Sequence, residues 1–130
     1  MFNVDISSST PIYIQIVDNI KEAVLKGLLE PGEKLPSVRE MAKDMRLNPN
    51  TVQKAYQELE RQKVTITLRG KGTYISTDYK PRKDEDRLME LREMLKKSLV
   101  EAHYLGFNEE DIIDMIKELL KELEGGDSND

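Results

Sequence analysis

Apolar residues recur three and four positions apart in five stretches of the chain, and alternate with polar ones in a sixth. Ile12, Ile16, Ile20, Ala23 and Val24 predict a first helix, opened by Thr10-Pro11 and ended by Gly27. Leu28 and Leu29 are expected to tuck into the core before Pro31-Gly32 turns the chain, and residues 1–9 are expected to form a loosely held arm. A second helix opens at Ser37, whose side chain can cap the first turn while Glu40 reaches back to the Ser37 amide. Val38, Met41, Ala42 and Met45 give that helix its inner face. After the turn at Arg46-Leu47, Asn48-Pro49 opens a third, with Asn as cap and Pro at the first helical position. Its inner stripe is Val52, Ala55, Tyr56 and Leu59.

From Val64 the period changes to two. Val64–Leu68 reads as a strand, Arg69-Gly70-Lys71-Gly72 as a tight turn, and Thr73–Ser76 as the return strand. Tyr79-Lys80-Pro81-Arg82-Lys83 reads as a linker. Beyond it Leu88, Leu91, Leu95, Leu99, Ala102 and Leu105 sustain one apolar face for about five turns, until Gly106. Asn108 and Asp111 then form a second capping box, and Ile112, Ile113, Met115, Ile116, Leu119, Leu120 and Leu123 follow. The expected fold is mainly α with a small β-hairpin: a winged helix-turn-helix over residues 1–78, a linker over 79–83 and a two-helix antiparallel hairpin over 84–124. A disordered tail is expected over 125–130.

Charge divides the same way. The net charge is −5, yet residues 1–83 hold 14 Lys and Arg against 10 Asp and Glu (net +4), and residues 84–130 hold 6 against 15 (net −9). What matters for a polyanionic partner is the charge of the docking face, not of the whole chain. The third helix presents Asn50, Thr51, Gln53, Lys54 and Gln57 outward, mostly neutral donors and acceptors where a solvated helix would carry Glu and Lys pairs. Asn and Gln can bond two atoms of an adenine edge, and the major groove admits one helix. Asn50 and Gln53 are therefore expected at base edges, with Asn48, Thr51 and Lys54 on phosphate. The Arg and Lys of the hairpin tip suit a minor groove or phosphates.

Leu35-Pro36-Ser37-Val38-Arg39-Glu40-Met41-Ala42, Asn50 to Leu59 and Gly70-Lys71-Gly72-Thr73-Tyr74-Ile75 resemble the DNA-binding domain of the GntR family of bacterial transcription regulators. Pro11-Ile12-Tyr13 with Gln15-Ile16, and Pro31 to Leu35, resemble the same family's first helix and following turn, so the likeness spans roughly residues 10–77. It implies a DNA contact by Arg39 and a DNA-contacting tip at Arg69, Gly70 and Lys71. It departs at Lys63, where the family usually has glycine before the wing, and at Pro49 and Gln53, where arginine is frequent. The short C-terminus resembles the YtrA-type subfamily, which implies a dimeric repressor of a small operon, often one for an ABC transporter.

The final helices carry more apolar surface than two helices can cover. Each large aliphatic side chain buried contributes roughly 1.5–3 kcal/mol. A second copy is thus the expected partner, with Leu91, Leu95, Leu99, Ile112, Ile116, Leu119 and Leu120 at the interface, alongside double-stranded DNA. An enzyme is not expected: His103 is the single histidine, there is no cysteine, and Glu109-Glu110-Asp111 serves a helix start. No cofactor, metal or membrane partner is expected, and the absence of cysteine and of a signal peptide fits a reducing cytoplasm. A winged-helix adaptor that binds protein rather than DNA is the alternative, and salt-dependent DNA binding separates the two. Whether a small molecule regulates the chain is left open by the sequence.

Overall fold

A computed structural model describes residues 3–78 and 84–124; the linker expected at 79–83 and the tail expected at 125–130 lie outside the described residues. The chain divides into two compact units, Met1–Tyr79 and Lys80–Asp130.

In the first unit, helices α1 (Ile12–Leu25), α2 (Val38–Met45) and α3 (Pro49–Arg61) precede the antiparallel strands β1 (Thr65–Leu68) and β2 (Gly72–Ile75). Helix α3 packs against both α1 and α2, and the stripes expected on all three helices point inward. Ile16, Ile20, Val52 and Leu59 are sealed from solvent, joined by Ile75 from β2. Val17 is buried too, although the i, i+4 pattern passed over it.

Both caps of the helix-turn-helix form as the sequence predicts. Ser37 Oγ accepts from the Glu40 amide (3.0 Å) while Glu40 Oε1 accepts from the Ser37 amide (2.8 Å). Asn48 Oδ1 accepts from the Asn50 amide at 2.8 Å, with Pro49 in the first turn. Helix α1 departs from expectation. Its cap is Pro11, whose ring offers no acceptor for a side-chain bond, and Thr10 stays outside the helix, its carbonyl accepting from Gln15 Nε2 (2.9 Å). The same Gln15 ties down the arm expected to be loose: its amide exchanges bonds with both the Asp5 N–H (2.7 Å) and the Asp5 carbonyl (2.9 Å). Asn19 adds a bond to the Asn3 carbonyl, and Val4 packs on the core.

Four helix ends share one device. The amide two residues past the last helical turn bonds back five positions, as Leu28 to Ala23, Leu47 to Ala42, Val64 to Leu59 and Phe107 to Ala102. The residue between must turn left-handed, and it is Gly27, Arg46, Lys63 and Gly106, with Arg46 at φ +58° and Lys63 at +65°. Lys63, at the position where the resemblance leads one to expect glycine, thus adopts the backbone shape that glycine favours. After Gly27 the chain buries Leu29 but leaves Leu28 exposed, because consecutive residues leaving this turn face opposite ways; only half of the expected pair enters the core.

The hairpin has a third edge that no periodicity announced. Leu35 N–H donates to the Thr73 carbonyl, Ile75 N–H to Glu33 and Gly32 N–H to Ile75, each at 2.8 Å. The segment before α2 is therefore stitched along β2, which anchors the wing to the helices.

The second unit holds α4 (Glu85–Tyr104) and α5 (Glu109–Glu122). Asp84 caps α4 through the Asp86 and Arg87 amides, and Asn108 and Asp111 form the expected box on α5. The helix pair is open: no residue of either is buried.

Candidate nucleic-acid interface

Helix α3 enters the site amide-first. Asn48 spends its side-chain oxygen on the cap, so its amide nitrogen is the group left to donate outward. Asn50 and Gln53 stand exposed, and neither side chain makes a hydrogen bond among the described residues. They present paired donor and acceptor atoms with no internal competitor. Thr51 is half-buried beside them, and Gln57 extends the exposed polar face by a turn. Lys54 lies with its ammonium 4.2 Å from the centre of the Tyr13 ring in α1. No local pattern in the sequence marks that contact, which joins residues 41 positions apart.

Beneath this face the helix is fixed by Tyr56. Its hydroxyl points inward and donates to the Pro36 carbonyl at 2.6 Å. Burial, and then the Glu40 charge, push its ionisation far above the ordinary tyrosine range. Helix α2 brings Arg39 to the surface on its first turn, where no ion pair holds it among the described residues.

At the wing, Leu68 and Gly72 close a three-residue loop of Arg69, Gly70 and Lys71, all exposed. The Lys71 amide donates to the Leu68 carbonyl (2.8 Å), and Gly70 takes φ +76° at the third turn position, as a type II turn requires. Tyr74 steadies the tip by donating its hydroxyl to the Lys71 carbonyl at 3.1 Å. Gly72 leaves room for Lys34: a Cβ there would sit 2.8 Å from the lysine's Cε. The wing thus carries two cations at its tip and a third beside Gly72, where the loop closes.

In the second unit the residues expected at an interface between copies are all at least partly open to solvent. Leu91, Leu95, Leu99, Ile116, Leu119 and Leu120 are each about half exposed, at 45–58%. Ile112 is half-buried. No group of three or more metal-ligating side chains exists among the described residues, and no described helix is long and apolar enough to cross a membrane.

Comparison with known proteins places this geometry. The family described as "Bacterial regulatory proteins, gntR family" matches residues 12–75, the span from α1 through β2. The chain is 48% identical to the HTH-type transcriptional repressor YtrA of Bacillus subtilis over 130 residues, covering all of both chains. Among solved structures it resembles a transcriptional antiterminator from Listeria monocytogenes, with 46% identity and a TM-score of 0.88 over 100% of this chain and 97% of that one. YtrA from Sulfolobus acidocaldarius is similar at 32% identity and a TM-score of 0.55, over 92% and 97% of the two chains. These relatives are regulators rather than enzymes, and with a winged helix-turn-helix that leaves its polar helix face and cationic wing free, the chain belongs to the GntR family of bacterial transcription regulators.

Proposed function

We propose that the chain is a homodimeric repressor that reads a palindromic operator. The observation that carries this reading is the outer face of α3, where Asn50 and Gln53 keep their side-chain amides unpaired, together with a cationic wing whose tip Tyr74 braces. In this account Asn50 and Gln53 bond base edges in the major groove, and Asn48, Thr51 and Lys54 hold phosphates. Arg39 approaches from α2, while Arg69, Gly70 and Lys71 reach a minor groove or its flanking phosphates. One such unit reads only a few base pairs. Two linked copies become a bivalent binder with a large gain from effective concentration.

The second copy is supplied through α4 and α5. Leu91, Leu95, Leu99, Ile112, Ile116, Leu119 and Leu120 form the apolar surface that pairs, giving a helical bundle across a two-fold axis. The acidic C-terminal unit repels phosphate and so helps fix which side docks. The likeness to YtrA supports repression, and an ABC transporter operon is the proposed target; the genes beside the coding region test that. The deciding experiment is selection of bound duplexes from a random pool, followed by mobility shifts at rising salt. Enrichment of an inverted repeat and a steep loss of affinity with salt are expected; no enrichment and no salt-dependent binding overturn the proposal.

A further inference from the structure

The Lys54 ammonium lies over the face of the Tyr13 ring, 4.2 Å from its centroid. The two residues come from different helices, α3 and α1, so nothing in local helix geometry forces the contact. Tyr13 is half-buried and packed on the core, which makes its ring a fixed platform. Lys54 is exposed and forms no ion pair among the described residues. A free lysine on a surface helix samples many rotamers and loses that freedom when it binds a phosphate. A ring that attracts the ammonium removes part of this cost in advance, and it covers only one side of the ammonium. The remaining N–H groups stay open to an acceptor.

We infer that Tyr13 is a positioning residue for DNA binding: it holds the Lys54 ammonium ready for the phosphate backbone beside the recognition helix. The role goes beyond the family's helix-turn-helix and wing, because it recruits the first turn of α1 to the interface. It rests on the DNA-binding reading above. The Tyr13 face, not its hydroxyl, does the work, and phenylalanine should therefore substitute where leucine should not.

A double-mutant cycle on a pool of random-sequence duplexes at low salt tests this. Lys54→Gln is expected to weaken binding and to reduce the slope of log affinity against log salt by about one. Tyr13→Leu keeps every charge, and is expected to weaken binding about two- to fivefold with the slope unchanged. Tyr13→Phe should bind as the parent does. In the Lys54→Gln background Tyr13→Leu should cost nothing further. Equal losses from Tyr13→Leu in both backgrounds overturn the inference, as does a Tyr13→Phe variant as weak as Tyr13→Leu. NMR of the unsubstituted protein gives a check free of any folding defect: the Lys54 Hε resonances should lie upfield of ordinary lysines, shielded by the ring, and unshifted resonances overturn the contact itself. A parent protein that binds no duplex overturns the DNA-binding reading as well, whereas a parent that binds with no Tyr13–Lys54 coupling overturns this inference alone.

Discussion

At the scale of single residues, backbone shape and buried oxygen atoms make the sharpest demands. Arg46 and Lys63 are left-handed residues with a Cβ, at φ +58° and +65°, in positions where α1 and α4 use glycine. The Cβ clash in that region costs roughly 1–2 kcal/mol, offset partly by glycine's larger entropy loss of about 0.5–1 kcal/mol. Lys63→Gly is therefore expected to leave stability unchanged or raise it by up to about 1 kcal/mol in urea unfolding; a clear loss would mean the lysine stem contributes packing. Thr65 presents the opposite case. It is 1% exposed and its hydroxyl has no partner among the described residues, so Thr65→Val removes an unsatisfied group of the same shape. A gain of about 1 kcal/mol in stability is expected from the recovered desolvation. Tyr56 carries a satisfied hydroxyl instead, and Tyr56→Phe should cost about 0.5–1.5 kcal/mol. Because burial raises its folded ionisation above that of the unfolded chain, its stabilisation is complete below pH 10 and is lost as pH climbs through the folded value. Absorbance titration should accordingly show this phenol ionising only well above the ordinary tyrosine value of 10.0 while the protein stays folded.

At the scale of elements, caps and periodic stripes were legible in the sequence because each is a local rule written in a few adjacent residues. Ser37 with Glu40, Asn48 with Pro49 and Asn108 with Asp111 all form where the sequence puts them. What escaped was non-local or decided by side-chain reach. Gln15 binds the backbone of Asp5 ten positions back, and that turns an arm with no apolar pattern into a held segment. The edge from Gly32 to Leu35 pairs through backbone atoms alone, which leave no mark in residue type. The polar face of α3 was readable, but the Tyr13–Lys54 contact needs the α1–α3 packing to exist first. The capping box of α2 has its own titration. Bonds from the Ser37 amide and hydroxyl hold the Glu40 carboxyl below its ordinary value of 4.5. Its contribution is thus present above pH 4.5 and fades as pH falls through the lower folded value. The stability gap between the parent and Glu40→Gln should narrow progressively below pH 4.5 in acid titrations; a gap that stays constant to pH 2 would show the carboxylate charge is irrelevant. Ser37→Ala, which removes the acceptor, should cost about 1 kcal/mol at neutral pH.

At the scale of the whole molecule, the two units differ in what keeps them folded. The first has a sealed core around Ile16, Ile20, Val52 and Leu59, so its stability is its own. The second buries nothing, and its leucines and isoleucines remain about half exposed. Apolar surface on that scale is tolerated in solution only when something covers it. In the proposed dimer a single charge placed on the seam should therefore separate the copies and spare the reading head. Leu95→Glu and Leu119→Glu each put a carboxylate where an aliphatic side chain would be desolvated, a cost of several kcal/mol for an unpaired ion. Sedimentation should shift either variant to a single copy, while the cooperative melting of the winged unit persists. Binding to one half-site should hardly change. Binding to the full inverted repeat should fall toward the half-site value, a loss on the order of 10²–10⁴ for a bivalent ligand reduced to one arm. Retained tight binding by a demonstrably monomeric variant would place the second contact elsewhere, and loss of half-site binding would mean that pairing shapes the reading head itself.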